Sequence, residues 1–408
     1  MLKLNSLDTN VFIYHSNNDE TIGTGANKIS RDELIASGRL CATEYLGKQL
    51  DPKGFVSRLA QFGGSYDVAA RKHMEKKLLF CATKAYAAVG KPAPENVEAV
   101  RSDMNLWKDP IFLRTMSYID AEVVSPLLYS VISDLGGQML NLRSAPVGRT
   151  VEINVQSNEA FLWEDSAPGS GHSTTKNYLY GDTITLNPKM YVCNGTIKWF
   201  QLVASDNGMD AGWYYTAIIR GLWSKITAMY TKALLNAATN TMYVPSYLTF
   251  DSYTSANWAS ATTAAAVANG VRREQLMAFG NYASLQKVLP SGTASDAALT
   301  YQLGEEWMRN GFVSMVGRVP LFEIMPAMVP GTVNTTGTMI DLDKHLFITA
   351  RVGDAMAPIY GAIAEGWPVA MEYTPSETAD FEISINMSTL MDFKPVFASK
   401  VAVIQNVI

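Results

Sequence analysis

The chain has 408 residues, of which 48% are hydrophobic and 17% charged, with a net charge of -5 and a pI near 5.5. Low charge leaves much uncharged surface, and large subunit interfaces are one use for it. The acidic balance argues against a dedicated nucleic-acid binder, which would carry a basic excess. Three widely spaced cysteines, Cys41, Cys81 and Cys193, indicate neither a disulfide framework nor a CxxC metal site.

Residues 1–5 lack the apolar segment of a secretory signal peptide. No run of about 18 apolar residues, the length that crosses a bilayer, occurs in the sequence. Together with the unpaired cysteines, these features predict a soluble protein that is made and kept in a reducing cytoplasm.

The N-terminal third is predicted to be mostly helical after a polar arm at residues 1–29. Ser30 and Glu33 form a capping box, the pattern that begins a helix. A second helix is predicted over residues 66–89, with Gly90 ending it.

A third helix is predicted to begin at Ser125 and Pro126. A serine followed by proline is a favoured helix start, because the hydroxyl caps the helix and proline suits its first turn. Gly136 is expected to end this helix.

Residues 146–205 are predicted to form one long β-hairpin, which we call the ribbon. Its outward arm, residues 150–156, alternates apolar and polar side chains, the pattern of a half-buried strand. A Gly-rich tip at residues 167–175 separates it from a return arm at residues 178–202. Because an isolated two-stranded ribbon is only marginally stable in water, we expect the ribbon to pack on a neighbouring copy of the chain.

A long amphipathic helix is predicted over residues 210–236, directly after the ribbon. Its apolar residues recur every three or four positions: Tyr215, Ile219, Leu222, Ile226, Met229 and Ala233. The opposite, polar side carries Arg220, Ser224, Thr227 and Thr231. Such a helix is about 40 Å long and can brace a flat domain along its length.

The remaining chain is predicted to be mixed. A Ser-, Thr- and Ala-rich loop is expected at residues 251–263, followed by a helix at residues 271–289 that begins at Gly270. Alternating or β-branched stretches predict strands near residues 313–319, 321–324, 346–352, 381–386 and 401–407.

No catalytic, cofactor or metal site is predicted. The four histidines, His15, His73, His172 and His345, have no partner at metal or catalytic-triad spacing. His172 in the ribbon tip stands out, because a partly exposed histidine at an interface can act as a pH switch.

The order of these parts resembles the major capsid proteins of tailed bacteriophages, which have the Hong Kong 97 fold. The strongest local match is Trp163-Glu164-Asp165, where the family has an aromatic residue, an acidic residue and Gly. Asp165 and Ser166 stand here in place of that Gly. Residues 380–385 resemble the last long strand of the family's peripheral domain.

The resemblance implies an α+β fold with a helical N-terminal arm, an extended β-hairpin loop, a peripheral domain with a long spine helix, and an axial domain. The corresponding segments are the arm at 1–145, the extended loop at 146–205, the peripheral domain at 206–245 and 338–408, and the axial domain at 246–337. The helical arm is longer than that of the type member. It is either an elaborated arm that wraps neighbours or a scaffold-like segment that is not cleaved.

The implied function is structural. Pentamers and hexamers of the chain form an icosahedral shell that encloses double-stranded DNA without sequence-specific binding, in a virion assembled in the bacterial cytoplasm. Scaffolding and portal proteins are implied partners, with cement or decoration proteins as a further option; no cofactor and no membrane are expected. The alternatives are an encapsulin-like nanocompartment shell and a soluble enzyme of mixed fold with an unrecognised site.

Six residues are candidates for subunit contacts: Trp163, Glu164, Asp165, His172, Lys176 and Arg220. Lys176 and Asn386 are the residues to consider for the isopeptide cross-link of the type member, although no matching motif surrounds them. Arg220 can pair with an acidic residue of a neighbouring subunit, or it can be solvated or paired within its own chain.

Overall fold

The structure is a computed structural model of the chain. It describes residues 21–22, 29–50, 66–136, 140–146, 148–156, 181–199, 211–239, 244–288, 311–324, 326–328, 339–340, 342, 344–350, 357–364, 370–375, 381–396 and 400–407. The chain divides into two compact units. Unit 1 comprises residues 1–134, 190–226 and 367–390, and unit 2 comprises residues 135–189, 227–366 and 391–408.

The described helices are α1 Arg31–Leu50, α2 Tyr66–Ala88, α3 Val97–Ser102, α4 Pro110–Gly136, α5 Ala211–Thr239, α6 Ser255–Asn269 and α7 Tyr282–Lys287. The strands are β1 Thr21–Ile22, β2 Ile29–Ser30, β3 Leu140–Ala145, β4 Val151–Gln156, β5 Gly181–Leu186, β6 Lys189–Lys198, β7 Thr249–Phe250, β8 Leu276–Gly280, β9 Met315–Val316, β10 Val319–Glu323, β11 Ala327–Met328, β12 Met339–Ile340, β13 Leu346–Ala350, β14 Ile359–Ala364, β15 Ala370–Pro375, β16 Glu382–Pro395 and β17 Ala402–Ile404. The prediction of a mixed α+β fold is confirmed.

The first two predicted helices are confirmed in unit 1. The N–H of Glu33 donates to the Ser30 hydroxyl at 3.1 Å, so this serine satisfies one of the unpaired N–H groups at the start of α1. After α2, Gly90 adopts φ +72°, the left-handed conformation that commonly follows the end of a helix.

The predicted start of the third helix at Ser125 is wrong, because α4 begins at Pro110. Asp109 caps it, with its carboxylate accepting from the N–H groups of Ile111 at 2.7 Å and Phe112 at 3.2 Å. Pro126 lies inside the helix and cannot donate to the carbonyl four residues earlier, that of Glu122. The Arg39 guanidinium donates to that carbonyl at 3.3 Å, so a contact from α1 replaces the missing bond.

The unit 1 sheet forms around the first part of β16. Residues 383–388 of β16 pair antiparallel with β15, and β6 also pairs with β16. Side chains of β16 alternate strictly between buried and half-buried positions. The predicted alternation at residues 381–386 is therefore confirmed.

The same sheet continues in unit 2 around β14. This strand pairs parallel with β3 and antiparallel with residues 391–395 of β16. All six residues of β14 are buried. Gly361 is required by close packing, because a Cβ atom there would lie 2.9 Å from the Phe393 ring.

A six-stranded sheet forms the other core of unit 2, in the order β7-β17-β13-β8-β10-β9. Every residue of β8 and of β13 is buried, and α6 packs against β13 and β17. The sheet combines strands of the predicted axial segment with β13 and β17 from the predicted peripheral segment. The pairing of β13 with both β8 and β17 joins the two segments in one hydrogen-bonded layer.

The predicted loop at 251–263 and helix at 271–289 are wrong. The chain forms α6 at Ser255–Asn269, where the Thr254 hydroxyl caps the helix by accepting from the N–H of Asn257. Gly270, with φ +64°, follows the end of this helix instead of beginning the next. The apolar run after it becomes the buried strand β8 and the short helix α7.

The long helix after the ribbon is confirmed as α5. Its predicted polar side is wrong, since Ser224, Thr227 and Thr231 are all buried. The exposed positions with described side chains form a narrow stripe that includes Lys225, Lys232, Asn236 and Thr239. From residue 221 onward, this helix is therefore enclosed on most of its circumference.

Candidate assembly surface

The strands β4 and β5 form the base of the ribbon. They pair antiparallel along their whole length, from Val151 opposite Leu186 to Gln156 opposite Gly181. Their apolar side chains share one face and pack on a buried cluster of the same chain. The ribbon side chains are Val151, Ile153, Val155, Ile184 and Leu186, and the cluster beneath them contains Ala357, Tyr360, Ala362 and Val396. The prediction that the ribbon packs on a neighbouring copy is therefore wrong for its base.

Two charged side chains of β16 contact the end of β5. The Lys394 Nζ atom donates to the Thr185 carbonyl at 2.7 Å, and the Asp392 carboxylate accepts from the N–H of Asn187 at 2.9 Å. The Lys394 Nζ and Asp392 Oδ2 atoms also lie 3.9 Å apart. Hydrogen bonds from charged side chains to the backbone thus supplement the apolar packing of the ribbon base.

The strand β6 does not continue the predicted return arm of the ribbon, so the prediction of one arm over residues 178–202 is wrong. The chain leaves β5 at Asn187 and Pro188, and β6 pairs instead with β16. Side-chain contacts follow this pairing at every second residue: Asn194 with Asn386 at 2.7 Å, Thr196 with Ser384 at 3.5 Å, and Lys198 with Glu382 at 4.0 Å.

Much of β6 lies open to solvent in the single chain. Six of its ten residues are exposed, and Met190 and Val192 expose 59% and 62% of their surface. Among the described strands, β16 is the only pairing partner of β6. An edge strand with exposed apolar side chains favours association with another chain, so β6 is the candidate assembly surface.

A buried polar cluster fastens the helical region to β15 within unit 1. Lys77 of α2 and Asp120 of α4 form an ion pair at 2.6 Å, and both side chains are fully buried. The hydroxyl of Tyr373 donates to the other oxygen of the same carboxylate, and the N–H of Tyr373 donates to the Ser117 hydroxyl at 3.2 Å. Three separate elements thus meet at one charged pair.

Burial alters the titration of groups near this pair. Desolvation, followed by the nearby positive charges of Lys77 and Lys76, lowers the pKa of His73 to about 3. Burial also raises the pKa of the Cys81 thiol well above its usual range. His73 is therefore neutral, and Cys81 is held as an unreactive thiol, at neutral pH.

The candidate contact residues cannot be assembled into one site here. Trp163, Glu164, Asp165, His172 and Lys176 lie outside the described residues. Arg220 lies in α5, and its side chain is also outside the description. Asn386, named for a cross-link, is described and bonds to Asn194. Trp223, in the middle of α5, is buried.

The contacts of Asp392 and Lys394 were not predicted from the sequence. Both continue the alternation of β16 beyond the predicted strand end at residue 386, and this continuation was an available signal for a longer strand. Their contact with the end of β5 joins residues about 200 positions apart along the chain, a pairing that the local pattern does not contain.

Among the described residues, no three His, Cys, Asp or Glu side chains lie close enough together to hold a metal ion. None of the described helices combines the length and apolar character needed to cross a membrane.

Several solved structures are similar to this chain. A cyanophage P-SCSP1u capsid structure matches with 12% identity and a TM-score of 0.42, covering 65% of this chain and 85% of that one. The mature capsid of bacteriophage PhiM1 matches with 13% identity and a TM-score of 0.42, covering 66% and 85%. A virus-like particle from Pyrococcus furiosus matches with 9% identity and a TM-score of 0.39, covering 69% and 96%.

The sequence itself matches no family profile and no curated protein. Two of the three structures named above are phage capsids.

Proposed function

We propose that this chain is the structural subunit of a closed protein shell, built from pentamers and hexamers as the icosahedral capsid of a tailed bacteriophage. The observation that carries the proposal is β6, a ten-residue strand that leaves six residues exposed, Met190 and Val192 among them. In a monomer such a strand is an aggregation hazard. A second copy that covers β6 removes the hazard and forms a subunit contact.

The ribbon supports the same proposal. Its base is anchored on its own chain through one apolar face, while Glu152 and Asn154 of β4 remain exposed on the other. Rigid anchoring at the base suits a segment that reaches a neighbour, since a contact between subunits gains more when the contacting parts are already ordered. We place the further contacts of the ribbon on an adjacent subunit, including those of Trp163 and His172.

The net charge of -5 suits a container for double-stranded DNA. Basic surfaces bind the phosphate backbone strongly, whereas a shell wall without a basic excess leaves packaged DNA free to move. Scaffolding and portal proteins are proposed as partners in assembly, and the DNA is enclosed without sequence-specific contacts.

The buried cluster of Lys77, Asp120 and Tyr373 helps to distinguish between the two roles considered for the long helical region. A fully buried ion pair that joins α2, α4 and β15 supports a helical region that stays part of the folded subunit. Two roles were considered for this region: an arm that wraps neighbours and a scaffold-like segment that is not cleaved. For residues 66–136, the buried ion pair fits the wrapping arm less well.

The test is assembly of purified protein with β6 altered. Met190→Ser with Val192→Ser should leave the subunit folded, because both side chains are exposed, and should lower particle yield at least about tenfold. Negative-stain microscopy measures the yield, and circular dichroism checks the fold. Val267→Ser is the matched control, since Val267 exposes 75% of its surface but lies on α6.

Wild-type protein that stays monomeric or dimeric under all assembly conditions would contradict the shell. Particles that form equally well with altered β6 would place the subunit contact elsewhere. Particles that contain protein cargo instead of DNA would contradict the phage capsid and favour a nanocompartment.

A further inference from the structure

We infer that Asp392 and Lys394 form a clamp that fixes the direction in which the ribbon leaves the sheet beneath it, and thereby sets the angle between neighbouring subunits. This inference rests on the proposed shell function. It assigns to two residues of one strand a role in determining the size and closure of the particle.

The contacts of the clamp are directed at the backbone of the ribbon and not at its side chains. Lys394 donates to the carbonyl of Thr185, and Asp392 accepts from the N–H of Asn187. One charge binds an acceptor and the other binds a donor, two residues apart on the same chain segment. The positive charge therefore faces a backbone carbonyl, and the negative charge faces a backbone N–H.

The position of the clamp explains why it would control direction. The apolar contacts of Val151, Ile153 and Val155 hold the ribbon against the cluster around Tyr360. Apolar packing of this kind is non-directional and permits small sliding movements. Hydrogen bonds to charged groups are directional and stronger than neutral ones, so they fix the orientation that the apolar face leaves adjustable.

The clamp also lies where the chain changes course. Thr185 is in β5, Asn187 follows the end of that strand, and β6 begins at Lys189. Asn187 is an exposed residue, and its N–H donates to the Asp392 carboxylate. A small rotation here is carried along β4 and β5, in which each residue adds about 3.3 Å.

The sharpest experiment uses three paired variants of the full chain. The neutral pair, Asp392→Ala with Lys394→Met, removes both contacts. The exchanged pair, Asp392→Lys with Lys394→Asp, retains the net charge and an ion pair but places each charge against the wrong backbone group. Asp251→Ala with Lys287→Met is the control, because both side chains are exposed and lie on other elements of unit 2.

We expect the neutral and exchanged pairs to lower the fraction of closed, uniform particles at least about fivefold, with open or differently sized assemblies in their place. The control pair should assemble like wild type. Particle diameters from electron microscopy and light scattering measure the effect. Normal particles from the exchanged pair would overturn the clamp, because that pair lacks the backbone contacts.

A second measurement does not depend on assembly. In unassembled wild-type protein, the Asn187 amide should exchange with solvent at least about tenfold more slowly than in Asp392→Ala. Equal exchange rates would overturn the clamp even if the paired variants failed to fold. Wild-type protein that forms no particles would instead remove the proposed function, and the assembly role of the clamp with it.

Discussion

The interior strands β13 and β14 differ from the ribbon-side strand β6 in what covers their faces. Every residue of β13 and β14 is buried, and α6 packs on β13. In β6, six of ten residues are exposed in the single chain. The interior strands obtain all their stabilising contacts within the subunit, whereas β6 obtains only part of them. Substitutions in the first group should change folding, and substitutions in the second should change assembly.

The largest effect is expected from Phe347→Ala in β13. Phe347 is fully buried, so its removal leaves a cavity and should lower the free energy of unfolding by about 3–5 kcal/mol. Denaturant titration of unassembled protein measures the change. Val192→Ala in β6 is the contrasting variant and should change stability by less than about 0.5 kcal/mol. Similar losses in the two variants would break the distinction between the strands.

The same comparison between buried and more exposed groups can be made with two ion pairs of unit 1. Asp120→Ala leaves the fully buried Lys77 without its carboxylate and should cost about 3–5 kcal/mol of unfolding free energy. Glu382→Ala removes the half-buried partner of Lys198, at 4.0 Å, and should cost less than about 1 kcal/mol. Thermal unfolding of both variants under one buffer condition gives the comparison. A small loss in Asp120→Ala would mean that water reaches Lys77.

A smaller effect is expected in the pH dependence of stability. The folded protein holds the pKa of His73 at about 3, below the usual value of 6.5. Between these two pH values, the unfolded chain therefore binds more protons than the folded protein. Stability contributed by neutral His73 is complete above pH 6.5 and declines as the pH falls toward 3. Between pH 6.5 and 5, the decline should approach about 1.4 kcal/mol per pH unit.

The measurement for His73 is a series of denaturant titrations across that pH range. His73→Phe should flatten the slope, whatever it does to the absolute stability. An unchanged slope in the variant would assign the pH dependence to other groups.

Helix boundaries show which local signals were sufficient. Ser30 with Glu33 predicted the start of α1, because the cap involves neighbours in sequence. Two sites, Asp109-Pro110 and Ser125-Pro126, both carry a capping residue followed by proline. The earlier one begins the helix. At Pro126 the Glu122 carbonyl accepts instead from Arg39, a residue of another helix, and local sequence does not contain that contact.

The region around Gly270 shows a second limit. A Ser-, Thr- and Ala-rich segment is typical of a loop, but alanine favours a helix and Thr254 caps the helix that forms here. The apolar run Leu276–Gly280 is compatible with either a helix or a buried strand. Hydrogen bonding to β13 and β10 makes this run a strand instead of a helix. Both partners are distant from it in the sequence.

Buried polar residues mark a third limit. Thr227 and Thr231 were assigned to the exposed side of the long helix because they are polar, yet both are fully buried. Threonine carries a methyl group beside its hydroxyl, so polarity alone does not place it outside, and the hydroxyl of Thr231 is buried without a hydrogen-bond partner among the described residues. The existence of the helix followed from its periodicity, but the width of its buried face did not.

In the segment from β4 to α5, the sequence by itself determined the alternation of β4, the presence of a hairpin base and the long helix α5. These depend on patterns with periods of two or about 3.6 residues, which neighbouring residues encode. Only the tertiary structure separated β6 from the ribbon and placed Asp392 and Lys394 at its root. Those features are pairings between segments about 200 residues apart, and such pairings are set by the competition of strands for partners during folding.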